Sequence, residues 1–92
     1  MSFVKGRRFE NYVKDKLERN GYYVARSAGS KGVFDLIAVK DGKVIGIQCK
    51  LGRISKSEIE KIISTAKKYG ITPFIATKKN GRVVIEALSL HP

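Results

Sequence analysis

The stretch VFDLIAVKDGKVIGIQCK, Val33 to Lys50, constrains this chain more than any other. Two apolar runs flank Asp41-Gly42, and Asp-Gly between such runs is a strong signal for a tight hairpin turn. With Asp41 and Gly42 as the central pair, Lys40 faces Lys43, and counting outward along both strands sets Asp35 opposite Gln48. Facing side chains share a sheet face, with Cβ atoms about 4.5–5.5 Å apart. Lys50 lies two residues beyond Gln48 and so points to that same face. The hairpin therefore gathers a carboxylate, an amide oxygen and an ammonium at one end. Such a trio suits a hard divalent cation beside a phosphate.

Helices and strands can be read on both sides of this hairpin. Phe9, Tyr12, Val13 and Leu17 recur at helical spacing over about Lys5 to Asn20, and Asn20-Gly21 is a stop signal. Tyr22 to Arg26 reads as a short strand and Ser27 to Gly32 (SAGSKG) as a loop. The hairpin strands are Val33 to Val39 and Val44 to Lys50. Ser55-x-x-Glu58 and Ser57-x-x-Glu60 are overlapping capping boxes before a stripe of Ile59, Ile62, Ile63 and Ala66, with Gly70 as the C-terminal cap. Thr72 to Thr77 reads as a strand, and Pro73 near its start implies either an edge strand or a strand-entry position. Asn80-Gly81 then leads into a last strand, Arg82 to Leu88. The expected fold is α/β, a mixed sheet flanked by helices in the order α-β-β-β-α-β-β, with residues 1–92 as one domain. A chain this short buries only about 60–65% of its unfolded surface. A second copy would enlarge its core.

The net charge is +11, from 19 Lys and Arg against 8 Asp and Glu. These cations are spread along a chain with a globular hydrophobic content of 42%, so they belong to a folded surface and not to a disordered tail. Nucleic-acid phosphate is the natural partner for such a surface. Solubility or adaptation to heat is the blander explanation. No run is long enough to span a membrane, and no helix joins a basic face to exposed Trp or Phe. The start, MSFVKGRRFE, carries no apolar signal core, and Cys49 is the only cysteine. An intracellular, cytoplasmic setting is therefore expected, whether for a cellular protein or for a viral one acting in its host.

Asp35 interrupts an apolar run and reads either as a metal ligand or as the ion-pair partner of Lys50. Gln48 offers a neutral oxygen to a hard cation, and Lys50 can stabilise charge on a phosphate or help position a water. Glu10, beside the apolar stripe of the first helix, joins them if that helix crosses the hairpin. Taken alone, Glu10 is simply a solvated helix residue. Arg7 and Arg8 are phosphate contacts or solvated charge. In the RSAGS loop, Arg26 to Ser30, Ser30 can bond a phosphate oxygen or be an ordinary loop serine. His91, the only histidine, stands next to the last residue, so no Ser-His pair or histidine metal cluster can form. No phosphate-binding Gly-x-x-x-x-Gly-Lys-Ser/Thr loop is present, and no nucleotide cofactor is expected. Cys49 alternates away from Gln48 and Lys50, into the core.

Three segments together, KGRRFE (Lys5 to Glu10), ARSAGSKGVFDLIA (Ala25 to Ala38) and IQCK (Ile47 to Lys50), resemble the archaeal Holliday-junction resolvases of the PD-(D/E)XK nuclease superfamily. The resemblance implies a restriction-endonuclease-like core and a homodimeric endonuclease that uses Mg²⁺, with Mn²⁺ as a substitute. Such enzymes nick opposed strands of a branched, four-way DNA junction. It further implies a metal site of Glu10, Asp35 and Gln48, with Lys50 acting on the attacking water and scissile phosphate. Ser30 would lie near that phosphate. Arg26 would contact DNA; Arg7, Arg8, Lys31 and Arg53 are the further DNA contacts expected from the basic charge alone. Two departures stand out: the family usually has Glu where this chain has Gln48, and many members have a basic residue where it has Asn11. The alternatives are a related nuclease for another DNA structure and a basic DNA-binding module with an impaired site.

Overall fold

The computed structural model describes residues 2–27 and 32–89, with side chains from residue 6 onward. Ser30, Lys31 and His91, singled out above, lie outside the described residues. The elements follow the expected order: α1 (Ser2–Arg19), β1 (Tyr23–Arg26), β2 (Leu36–Lys40), β3 (Lys43–Cys49), α2 (Lys56–Tyr69), β4 (Thr72–Lys79) and β5 (Arg82–Ala87). The strands lie side by side in chain order, all neighbours antiparallel except the parallel pair β3 and β4. A parallel pair needs a crossover, and α2 provides it. No helix among the described residues is long and apolar enough to cross a membrane.

Each helix covers part of one sheet face. Phe9, Val13 and Leu17, at four-residue spacing on α1, bury against Val24, Leu36, Ala38, Ile45, Ile47 and Ala76. Full burial of Val13, Leu36 and Ile47 contributes roughly 1.5–3 kcal/mol apiece. Tyr12, counted with that stripe by spacing, lies 51% exposed at its border. On the opposite face, Ile62 and Ala66 of α2 pack with Phe34. Ser55 caps α2 in a complete capping box with Glu58, so the first of the two overlapping signals is the one used. Gly70 closes the helix in the left-handed conformation, φ 70°, its N–H bonded to the Ala66 carbonyl.

Both tight turns form where Asp41-Gly42 and Asn80-Gly81 predict them, with positive φ at all four residues. Pro73 lies near the start of β4, which pairs on both sides, so of the two alternatives for this proline the edge strand is ruled out. The hairpin register runs as expected from Lys40↔Lys43 to Leu36↔Ile47 and then changes. The Asp35 N–H bonds the Ile47 carbonyl at 2.8 Å, although Ile47 is already the partner of Leu36. Strict alternation would also put Phe34 and Leu36 on one face, yet Phe34 packs under α2 and Leu36 under α1. Two residues opposing one, with a break in alternation, is a β-bulge. The expected facing of Asp35 and Gln48 is corrected accordingly: the bulge re-aims Asp35 one step before it would meet Gln48.

Candidate active site

Asp35 is held from three sides. Its N–H donates to Ile47, its carbonyl accepts the Ser27 N–H at 2.9 Å, and its Oδ2 accepts the Cys49 N–H at 2.7 Å. The carboxylate thus serves as partner for a β3 amide just past the bulge. Burial raises its pKa above the ordinary 3.8, against the opposing pull of the Cys49 N–H and the Lys50 charge.

Helix α1 crosses at this end of the sheet and brings Glu10 within electrostatic reach of Asp35. The Glu10 pKa is also raised, first by burial and then by the Asp35 charge, while Arg26 and Arg7 oppose the shift. Arg26, at the end of β1, donates from Nη1 to Glu10 Oε1 at 3.2 Å and from Nη2 to Asn11 Oδ1. Arg26, expected as a DNA contact, is therefore bonded within the protein to α1. Asn11, the departure noted above, is one of its two acceptors.

Lys50 follows β3, its N–H fixed to the Ala76 carbonyl at 2.9 Å. Its ammonium bonds Glu58 Oε2 at 3.1 Å and also acts on Asp35 through its charge. The simple ion pair of Asp35 with Lys50 does not form. A cleft of about 540 Å³ opens between α1 and this end of β3, bordered by Gly6, Phe9, Glu10, Lys50 and Leu51. Cys49 lies at its base with a thiol pushed up to about 12, chiefly by burial and then by Asp35 and Glu10. So protonated a thiol is a poor nucleophile, in keeping with its expected core role.

Glu10, Asp35 and Lys50 are thus brought together. Gln48 alternates away from Cys49 and so lies on the face of β3 toward which Lys50 also points. Arg7, Arg8 and Arg53 are exposed. From the cleft, Phe9 and Leu51 lead into a wider groove of about 990 Å³ between α1 and the β4–β5 turn, walled by Arg8, Lys16, Lys78 and Arg82. No carboxylate lines it. Sequence reading missed Lys16, Lys78 and Arg82 as one surface, because they come together only when α1 packs beside the last hairpin. It also assigned Glu58 to capping alone; the Lys50 contact carried no sequence signal.

The family model for archaeal Holliday junction resolvase (Hjc) matches residues 1–92. The chain belongs to this resolvase family. Within the family it is similar to the crossover junction endodeoxyribonuclease Hjc of Methanocaldococcus jannaschii, 45% identical over 87 residues. That match covers 89% of this chain, and the chain spans 65% of the length of the curated relative. The fold of Archaeoglobus fulgidus Hjc, a Holliday junction resolvase from an archaeal hyperthermophile, superposes with a TM-score of 0.76 over 91% of this chain and 73% of the other. At 23% identity this second likeness is one of fold.

Proposed function

We propose that this chain is a divalent-metal-dependent endonuclease that resolves four-way DNA junctions, with Glu10, Asp35 and Gln48 holding Mg²⁺ and Lys50 contacting the scissile phosphate. One observation carries the reading: in a chain of net charge +11, Glu10 borders a cleft beside Lys50 and lies near enough to Asp35 for that second carboxylate's charge to raise its pKa. A cation between Glu10 and Asp35 would relieve both the burial and the repulsion. The donor set fits a hard ion, since Mg²⁺ takes one or two carboxylates and keeps several waters. When bound, the ion supplies charge neutralisation and Lewis acidity at the phosphate.

The protein's own residues do the rest. Asp35, tied to both neighbouring strands, is a rigid anchor. Arg26 holds the Glu10 carboxylate in place from β1. Lys50 donates to a non-bridging phosphate oxygen as negative charge builds during in-line attack by water. Water adds to phosphorus, one P–O ester bond breaks, and the leaving oxygen takes up a proton. Arg7, Arg8 and Arg53, with the basic groove of Lys16, Lys78 and Arg82, bind the backbone of the branched duplex. Ser30 of the RSAGS loop and Lys31 just after it complete the DNA contacts. The 92 residues act as one nuclease unit, and a C₂ homodimer presents two such sites to the two equivalent strands of the junction.

The test incubates four-way junction, linear duplex and single-stranded DNA with the protein and Mg²⁺ or Mn²⁺. Paired nicks confined to the junction are expected. Cleavage of other structures would assign a different substrate. Tight junction binding without cleavage in either metal would point to a binding module, the reading that Gln48 in place of Glu favours.

A further inference from the structure

Glu58 makes one bond more than its cap requires. Its N–H bonds Ser55 Oγ at 3.1 Å, and Oε1 accepts the Ser55 N–H at 3.0 Å, which completes the capping box. The second carboxylate oxygen is not needed for that motif. It accepts from Lys50 Nζ at 3.1 Å. Lys50 is eight residues upstream, beyond a loop, so the contact is tertiary and does not follow from helix geometry.

We propose that Glu58 is a positioning residue for Lys50: the capped start of α2 holds the ammonium at the cleft, ready for the scissile phosphate. The inference rests on the functional reading given above and deepens it. A lysine side chain has four rotatable bonds, and much of its freedom must be lost before it can act on a phosphate at fixed distance. Glu58 removes part of that freedom in advance. Its own position is secured by helix backbone, so the restraint comes from a rigid element. The Lys50 main chain is likewise pinned to β4 through Ala76. The ammonium is therefore fixed at both ends of its side chain, one by sheet and one by helix. The contact is half-exposed, so a phosphate entering the cleft can share the ammonium without burying an unpaired carboxylate.

Capping and positioning can be separated because Gln at this position still completes the capping box. Glu58→Gln keeps the helix cap and removes the charge that holds Lys50. The expected result is an unchanged melting temperature and unchanged junction affinity. The single-turnover cleavage rate should fall roughly three- to fivefold, the scale set by a half-exposed ion pair. In a Lys50→Ala background the same substitution should have no further effect on rate, since its target is gone. Glu58→Asp should recover part of the rate. A second readout does not depend on cleavage: the ¹⁵N order parameter of the Lys50 ammonium should drop in DNA-free Glu58→Gln. An unchanged or faster rate in Glu58→Gln, or an unchanged order parameter, overturns the proposal. If the parent chain cuts no junction, the functional reading fails, and the ammonium measurement still decides whether Glu58 holds Lys50.

Discussion

Gly46→Ala should destabilise this protein and, through one aromatic ring, disturb Asp35. Gly46 is buried in the middle of β3. A Cβ built there would stand 2.7 Å from two Phe34 ring carbons and 2.8 Å from a third. Ordinary carbon contacts lie at about 3.5–4.0 Å, so the ring must retreat by roughly 1 Å. Phe34 is only 7% exposed and is packed beneath Ile62 and Ala66 of α2, so there is little room to move. Overpacking of this kind costs about 1–3 kcal/mol. At roughly 4–8 °C per kcal/mol for a chain of this size, the melting temperature should fall by several degrees or more. Phe34 also precedes Asp35 at the bulge, so a shifted ring pulls on the carboxylate, and misplacement by about 1 Å can cost about 10²-fold in rate. Urea melts of a double-mutant cycle provide the assay. Phe34→Ala alone should cost about 3–5 kcal/mol. In that background Gly46→Ala should become neutral or mildly stabilising, since Ala restricts the unfolded chain by about 0.4–1 kcal/mol. An equal loss in both backgrounds, or none in the parent, would refute the steric argument.

Further expectations concern the site and its supports. Asp35→Asn should abolish metal-dependent cleavage while leaving junction binding in gel-shift assays largely intact, because most phosphate contacts lie elsewhere. The raised pKa values of Glu10 and Asp35 mean that the folded chain holds these protons more tightly than the unfolded one. Their stabilising contribution is present below the ordinary values of 4.5 and 3.8 and is lost as pH rises through the raised ones. Urea melts in EDTA from pH ~4 to ~7 should show less of this loss in Asp35→Asn than in the parent. Gln48→Glu should retain cleavage and lower the Mg²⁺ concentration needed for half-maximal rate, by adding an anionic ligand. Ser55→Ala removes the acceptor for the Glu58 N–H and should cost about 1 kcal/mol in urea melts.

The parts of this structure legible in the sequence are those set by local rules. Asp41-Gly42 and Asn80-Gly81 specify their turns because both need positive φ in succession. Ser55 and Gly70 mark α2 because orphan backbone groups at helix ends need such partners. The hairpin register follows from its turn as far as Leu36. What could not be read is what depends on a third element. The bulge at Asp35 arises where Phe34 must fill the space over Gly46 while Leu36 stays under α1. Counting along a two-residue period cannot see it. The convergence of Glu10 with Asp35 was only conditional on the path of α1. Arg26 was expected only as a DNA contact because its acceptors, Glu10 and Asn11, are distant along the chain. Pro73 allowed two placements, and only the presence of β5 beyond β4 decides between them.

The most direct test of the proposed metal centre is a Mn²⁺ titration followed by amide NMR, with paramagnetic broadening reporting where the ion sits. Selective broadening of the amides around Glu10, Asp35 and Gln48 to Lys50, absent in Asp35→Asn, is the expected result. Broadening centred elsewhere, or the same pattern in Asp35→Asn, would contradict a metal site built on these residues.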